Sequence, residues 1–101
     1  MEKLVKQLAA LGYHYHGVEG RSITFLRLFE PRESLKRIGR EQERAEEAIR
    51  QYQKRVRGNV EYSKEEAEES DIPGIKIRVK HKSQFSFDKA RKAINAAIIK
   101  N

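Results

Sequence analysis

The chain has 101 residues, with 22 Lys or Arg against 15 Asp or Glu, so its formal net charge is +7. The absence of cysteine excludes disulfides, thiolate zinc sites and thiol nucleophiles, and it leads us to expect a cytoplasmic protein. No run reaches the roughly 18 apolar residues of a membrane span, and we expect neither a span nor a signal peptide. The length suits one domain, residues 1–101, with one hydrophobic core.

The beginning of the chain predicts a short helix and a hairpin. Residues 2–11 place apolar side chains on one helical face, and Gly12 follows as a residue that can end the helix in the left-handed conformation. Strands are predicted at 13–18 and 22–29, with a tight turn at Glu19-Gly20 between them. The second strand is apolar on both faces, which is typical of a central strand.

A long helix is predicted from Pro31 to about Arg57, with Gly58-Asn59 after it. Its apolar stripe advances in steps of three and four residues: Leu35, Ile38, Gln42, Ala45, Ile49, Tyr52 and Val56. The stripe fits a helix packed on a sheet and also the seam of a two-stranded coiled coil. We favour packing within a monomer, so that Leu35→Asp unfolds the chain, and keep a homodimer through residues 35–56 as the alternative.

The second half predicts less regular structure before a final strand and helix. Residues 60–62 suit a short strand, and Ser63 begins an S-x-x-E capping box that predicts one or two helical turns over 64–69. Residues 75–81 alternate apolar and basic side chains, as a half-buried strand does. Ser86 is the predicted cap of the last helix, whose apolar face is Phe87, Ala90, Ile94, Ala97 and Ile98, with Lys100 near its end.

These elements predict an α+β fold with the approximate order αββαβ(β)α. One antiparallel sheet of three to four strands would carry the helices on one face, because each amphipathic element must bury its apolar side against another layer.

Positive charge is concentrated in two places. Residues 74–101 carry eight cations and one anion, whereas residues 61–73 carry one cation and six anions. The candidate nucleic-acid-binding residues are a row on the last strand, Lys76, Arg78, Lys80 and Lys82, and the end of the long helix, Arg50, Lys54, Arg55 and Arg57. Cations on one face of a strand recur at about 6.6–7 Å, a spacing suited to successive phosphates.

Each of these charge features also has a structural interpretation. Lysines protect edge strands from aggregation, and cations stabilise the C-terminal end of a helix. The acidic run within residues 61–71 is interpreted as a solvated loop because it lacks the ligand spacing of a calcium loop. Tyr13 and Tyr15 share one face of the first strand, where they would be able to stack bases on an open sheet.

His14-Tyr15-His16 is the one motif with catalytic potential, since two imidazoles on one face of a strand can hold a divalent metal. It resembles the His-hydrophobic-His motif of the HUH nucleases. The resemblance covers these three residues and implies a metal-dependent single-strand nuclease. It implies Tyr52 as the nucleophile and Glu19 or His81 as a third metal ligand.

The favoured hypothesis is a small non-enzymatic nucleic-acid-binding domain that tracks phosphates through the basic strand and the basic end of the long helix, with no cofactor. The first alternative is a protein-binding inhibitor or adaptor of the phage or mobile-element type, whose partner has an acidic surface. The second is the HUH-like nuclease, the one alternative that requires a divalent metal.

Overall fold

The computed structural model describes the backbone of residues 1–99 and the side chains of residues 1–97, so the predicted roles of Ile98 and Lys100 lie outside the described residues. The described chain forms α1 (Glu2–Ala10), β1 (His14–Glu19), β2 (Ser22–Leu28), α2 (Leu35–Arg55), β3 (Val60–Glu69), β4 (Ile72–His81) and α3 (Gln84–Ile99). No helix within this part of the chain is long and apolar enough to cross a membrane.

The four strands form one antiparallel sheet in the order β1-β2-β4-β3, and the helices cover one of its faces. The predicted α+β architecture is therefore confirmed. The core lies between the sheet and the helices, where Ile23, Phe25, Ile77 and Val79 meet Leu4, Leu8, Ile49 and Ile94. On β4, the residues between the buried ones point to the other side, which we call the open face; Thr24 and Leu26 of β2 point the same way but are buried.

Residues 64–69 are the main departure from the predicted secondary structure, because they form a strand and not a helical turn. The capping box at Ser63 does not form. Ser63 pairs instead with Arg78 of β4, in a hairpin whose two strands form ten residue pairs. The hairpin turns at Ser70 and Asp71, whose φ angles of 51° and 65° are those of a type I′ turn. A full ladder of backbone hydrogen bonds outweighs the local capping preference.

Strand β4 is longer than predicted and lies inside the sheet. It begins at Ile72 and includes Pro73, whose missing N–H is tolerated at the start of the strand. Its neighbours are β2 and β3, so protection of a sheet edge does not explain its lysines.

The helix ends match the predictions in part. Gly12 has a φ of 89°, and the amides of Gly12 and Tyr13 donate to the carbonyls of Ala9 and Leu8, as expected for a glycine that ends α1. Helix α2 begins at Leu35, four residues later than predicted. The cap of α3 is Ser83 and not Ser86, because Ser83 Oγ accepts the N–H of Ser86 at 3.1 Å.

The stripe of α2 packs within the monomer over most of its length. Ile38, Ala45, Ile49 and Tyr52 are buried, whereas Leu35 at the start of the helix is 86% exposed. The expectation that Leu35→Asp unfolds the chain is therefore wrong, because Leu35 contributes almost nothing to the core.

Candidate nucleic-acid interface

The basic row on β4 lies on the open face, as its alternation predicts. Lys76, Arg78 and Lys80 alternate with Ile77 and Val79, which are buried on the helix side. Lys82 follows the last residue of the strand, and its side chain reaches Glu61, the residue opposite Lys80. Three cations therefore share one surface, spaced two residues apart along a single strand.

The acidic segment lies directly beside this row and changes its electrostatics. Because residues 60–69 form β3, Glu65 pairs with Lys76, Ser63 with Arg78 and Glu61 with Lys80. The interpretation of this segment as a solvated loop is wrong. On an antiparallel pair, side chains directly opposite each other are neighbours, so carboxylates flank two of the three cations.

Ion pairs use part of the positive charge of the open face. Arg78 Nη2 lies 3.0 Å from Glu65 Oε1 and 3.3 Å from Glu19 Oε2. The Nζ of Lys82 is 3.9 Å from Glu61 Oε1. The open face therefore carries both positive and negative charges. It should attract phosphates less strongly than the row of cations on β4 would without these carboxylates.

The end of α2 differs, because most of its cations have no acidic partner. Arg50 is paired with Glu47 through two hydrogen bonds of 3.0 and 3.2 Å, which raise the pKa of Arg50. Within the described residues, no ion pair involves Lys54, Arg55 or Arg57, and all three side chains are exposed. These three charged groups therefore face solvent and are available to a ligand.

The beginning of α3 adds two residues to this surface that the sequence analysis did not identify. Arg55, Arg57, Ser83, Phe85 and Lys89 border a pocket of about 260 Å³. Phe85 is 72% exposed, and the Nζ of Lys89 lies 5.0 Å from the centre of its ring. The signal was present in Phe85-Ser86-Phe87, since two aromatics two residues apart on a helix cannot both face the core. We call Lys54, Arg55, Arg57 and Lys89 the basic end.

Arg57 occupies a backbone position that usually belongs to glycine. Its φ is 54°, its amide donates to the Lys54 carbonyl, and the Gly58 amide donates to Gln53, so Arg57 is the left-handed residue that ends α2. For a residue with a Cβ this conformation costs about 1 kcal/mol or more. The fold thus keeps an exposed, unpaired guanidinium at a position where its backbone conformation lowers stability. Strained residues of this kind are concentrated at functional sites, which favours a functional role for the Arg57 side chain.

The two tyrosines expected to stack bases do not lie on the open face. Tyr13 is buried in the core beside the helices, and burial raises its pKa to about 12. Tyr15 pairs with Phe25 of the helix-covered face, and their ring centres are 6.5 Å apart. The aromatic group available to a ligand at the basic end is therefore Phe85.

The histidine pair does not form the arrangement expected of the nuclease motif. A bulge between Tyr15 and Gly17 inserts His16, so that Gly17 takes the position opposite Thr24 and the alternation is broken. His14 and His16 border a pocket of about 340 Å³ that Glu69 also lines. No group of three His, Asp or Glu residues in the described part of the chain has the geometry to hold a metal ion.

The remaining residues of the nuclease hypothesis lie elsewhere. Tyr52 and His81 are buried on the helix side, where the Tyr52 hydroxyl is 3.0 Å from His81 Nε2, and Glu19 is paired with Arg78. A nucleophile must reach a substrate, and a third ligand must face the histidine pair. The structure brings none of these residues to His14 and His16.

The buried Tyr52–His81 pair predicts a pH-dependent stability. Burial lowers the pKa of His81 below its usual 6.5. The unfolded chain therefore binds a proton near that value while the folded chain does not, and stability falls as the pH decreases below about 6.5. The slope can reach about 1.4 kcal/mol per pH unit. Denaturant unfolding between about pH 7.5 and pH 5 measures it.

The control for this prediction is the double variant Tyr52→Phe/His81→Leu, which removes both polar partners together and leaves no buried group unpaired. Its stability should change less over the same pH range. The carboxyls with lowered pKa values, Glu33 and Glu47, titrate below 4.5 and outside this range. Equal slopes in the wild type and the double variant would contradict the assignment to His81.

Comparison with protein-family models, curated proteins and solved structures finds no match to this chain. The function is therefore inferred from the residues and their geometry.

Proposed function

We propose that the chain is a small, cytoplasmic, non-enzymatic nucleic-acid-binding domain whose main contact surface is the basic end. The observation that supports this most directly is the set of unpaired cations around the exposed ring of Phe85. Lys54, Arg55, Arg57 and Lys89 neutralise phosphates, and the aromatic ring stacks on an unpaired base. The cations of β4 extend the surface, with a smaller contribution because Glu19 and Glu65 already neutralise Arg78.

Binding to labelled single-stranded DNA, duplex DNA and RNA over a salt series tests the proposal. The wild-type association constant should fall linearly with salt on logarithmic axes. The variant Arg55→Gln/Arg57→Gln/Lys89→Gln should reduce the slope for a single strand by about 2, since each lost phosphate contact removes about 0.7. The variant Lys76→Gln/Arg78→Gln/Lys80→Gln should have a smaller effect.

The charge-matched control is Arg32→Gln/Arg37→Gln/Arg44→Gln, which removes the same charge from the loop before α2, its first turn and its middle. Residues 37 and 55 are about 27 Å apart along the helix, beyond the screening length of physiological salt. If this control loses as much affinity as the basic-end variant, the effect comes from net charge and the proposed surface is wrong.

Two single variants separate binding from folding. Phe85→Ala should weaken binding to single strands, by about 1–3 kcal/mol if one base stacks on the ring, and leave duplex binding nearly unchanged. Arg57→Gly should raise the free energy of unfolding by about 1 kcal/mol while it weakens binding. An Arg57→Gly protein that binds normally would show that the strained guanidinium makes no contact.

The alternative of a protein-binding module shares the same surface, because an acidic protein groove and a phosphate backbone both attract cations. Salt-sensitive binding to one protein, with none to DNA or RNA at low salt, would replace the proposal by this alternative. In that case the basic-end variant should lose the protein partner and the Arg32, Arg37 and Arg44 control should retain it.

A further inference from the structure

The pocket of about 260 Å³ at the basic end has three cations in its lining, Arg55, Arg57 and Lys89. No aspartate or glutamate is among the described residues that line it, and no ion pair among those residues involves the three cations. By contrast, glutamates line both the groove beside the far end of the β3–β4 hairpin and the pocket of the histidine pair. The positive charge of this pocket, which we call the basic pocket, is therefore left for an anion to neutralise.

The basic pocket is too small for a length of nucleic-acid strand. Its volume lies below the roughly 300–1,000 Å³ of cavities that enclose a drug-sized ligand, so its three cations act on one small group. The cations of β4 are arranged differently, because they follow one another at about 6.6–7 Å along a strand and suit successive phosphates. The pocket instead suits a single group with a high negative charge.

A phosphomonoester is such a group. A phosphate inside a strand is a diester with one negative charge, whereas a monoester carries about −1.5 to −2 at pH 7 and has three acceptor oxygens. The guanidinium groups of Arg55 and Arg57 can each donate two hydrogen bonds to a phosphate, and Lys89 adds a compact charge. Ser83 Oγ, also in the lining, accepts the Ser86 N–H at 3.1 Å, which leaves its hydroxyl hydrogen free to donate.

Phe85 favours a nucleotide over other molecules that carry a phosphomonoester. Its ring borders the basic pocket and is 72% exposed, so a base can stack on it. The terminal nucleotide of a phosphorylated strand carries a base and a monoester together. One nucleotide can therefore contact the ring and the three cations at the same time.

The cations outside the basic pocket continue along β4. The Lys82 amide donates to the carbonyl of Asn59, a residue of the pocket lining, at 2.8 Å, and Lys80 precedes it on β4. Glu61 is the one carboxylate beside these two lysines in the described ion pairs and strand register. The neighbouring pocket of about 200 Å³ shares Lys89, and its lining adds no other cationic side chain. This asymmetry is expected of a surface on which a strand ends.

We propose that the basic pocket binds the phosphomonoester at the end of a single strand, with the terminal base on Phe85 and the next phosphates along Lys82 and Lys80. This inference rests on the proposed nucleic-acid binding, and it names the part of the strand that the basic end holds most tightly.

One internally labelled thymidine strand of about ten nucleotides, within the usual site size of a small domain, tests the inference in four forms. The forms have a 5′-phosphate, a 3′-phosphate, hydroxyls at both ends, or a methyl ester on the phosphate at the preferred end. Fluorescence anisotropy should show binding about tenfold or more tighter for one phosphorylated form than for the hydroxyl form, as one charge-assisted contact provides. The methyl ester keeps the phosphorus and removes one charge, so it should lose most of this gain.

Two protein variants locate the preference. Arg55→Gln/Arg57→Gln should bring the ratio between the phosphorylated and hydroxyl forms close to one, while the cations of β4 still bind both forms weakly. The control with Arg32, Arg37 and Arg44 changed to glutamine should keep the wild-type ratio. Circular dichroism should show that both variants remain folded, because the residues changed at the basic pocket are exposed.

The outcomes separate this inference from the proposed function. A wild-type ratio near one, or an equal gain from a phosphate at either end, overturns the strand end as the ligand, and salt-sensitive binding of the hydroxyl form would leave the proposed function standing. Absence of binding to every form overturns both. Thymidine 5′-monophosphate that binds as tightly as the phosphorylated strand would assign the pocket to a free nucleotide. A phosphoserine peptide that binds more tightly than the strand would assign it to a protein. Either result overturns the inference.

Discussion

Replacement of Arg27 by leucine is expected to lower the free energy of unfolding by about 3–5 kcal/mol. Arg27 lies on the helix-covered face of β2 and is 5% exposed. Its Nη2 contacts carboxylate oxygens of Glu33 and Glu41, Nη1 donates to Glu33 at 3.2 Å, and Nε donates to the Leu11 carbonyl at 3.1 Å. One guanidinium thus joins β2, the end of α1, the loop before α2 and α2 itself.

The expected loss arises from the groups that Arg27 leaves behind. Burial alone would lower the pKa of Arg27, but the hydrogen bonds and charges of Glu33 and Glu41 raise it, so the cation remains charged inside the fold. Without it, two largely buried carboxylates lose their buried cation and one carbonyl loses a donor, and Glu41 keeps only the exposed Arg37 and Glu33 only the Glu30 amide. Desolvated charges with no partner are among the few features that cost several kcal/mol when one side chain is changed.

Two comparisons make this prediction specific. Arg37 also pairs with Glu41, at 3.0 Å, but its side chain is 70% exposed, so Arg37→Leu should change stability by less than about 1 kcal/mol. Replacing Arg27, Glu33 and Glu41 together by apolar residues should cost less than Arg27→Leu alone, because no charge remains unpaired. Urea unfolding of the variants measures both differences. Equal losses for Arg27→Leu and Arg37→Leu would contradict the role of burial.

Regular periodicity explains which parts of the fold were predictable from the sequence. The alternation of Ile75, Ile77 and Val79 and the stripe from Ile38 to Tyr52 each repeat over several turns or pairs, so both elements were recognised. Segment 64–69 has no apolar alternation. Its strand character comes from pairing with β4, and Lys64 lies on the helix side, 3.3 Å from Glu46 of α2. Pairing between strands is not visible in a local pattern.

The sequence identified which cations could belong to the candidate site, but it did not show which of them are free to bind a ligand. The cations of β4 and of the end of α2 were identified, but which of them remain unpaired depends on β3, which places Glu65 against Arg78. Phe85 and Lys89 join Arg55 and Arg57 only because the end of α2 and the start of α3 meet in the fold. Arg27 did carry a local signal, since a lone arginine between Leu26 and Leu28 in a central strand predicts a buried, paired charge.

Gly74→Ala is expected to destabilise the sheet by about 1–3 kcal/mol or more, as overpacking of a close contact does. A Cβ at Gly74 would lie 2.4 Å from the Arg27 carbonyl oxygen and 3.1 Å from the Leu28 Cα, both of them backbone atoms of β2. Neither atom can rotate away, so β2 and β4 must separate beside the hydrogen bond from the Phe29 N–H to the Pro73 carbonyl, now 2.8 Å long. The same shift would displace Arg27 from its carboxylates.

The matched control is Gly39→Ala, measured at a concentration where the chain is monomeric. A Cβ at Gly39 meets no atom within 4 Å, so this variant should gain roughly 1 kcal/mol from helix propensity. The change from glycine to alanine is thus expected to lower the free energy of unfolding at Gly74 and to raise it at Gly39. The reason is that the backbone of β2 lies against Gly74, whereas no atom lies against Gly39. If thermal or denaturant unfolding shows that Gly74→Ala is tolerated as well as Gly39→Ala, the close approach of β2 to β4 at this point is wrong.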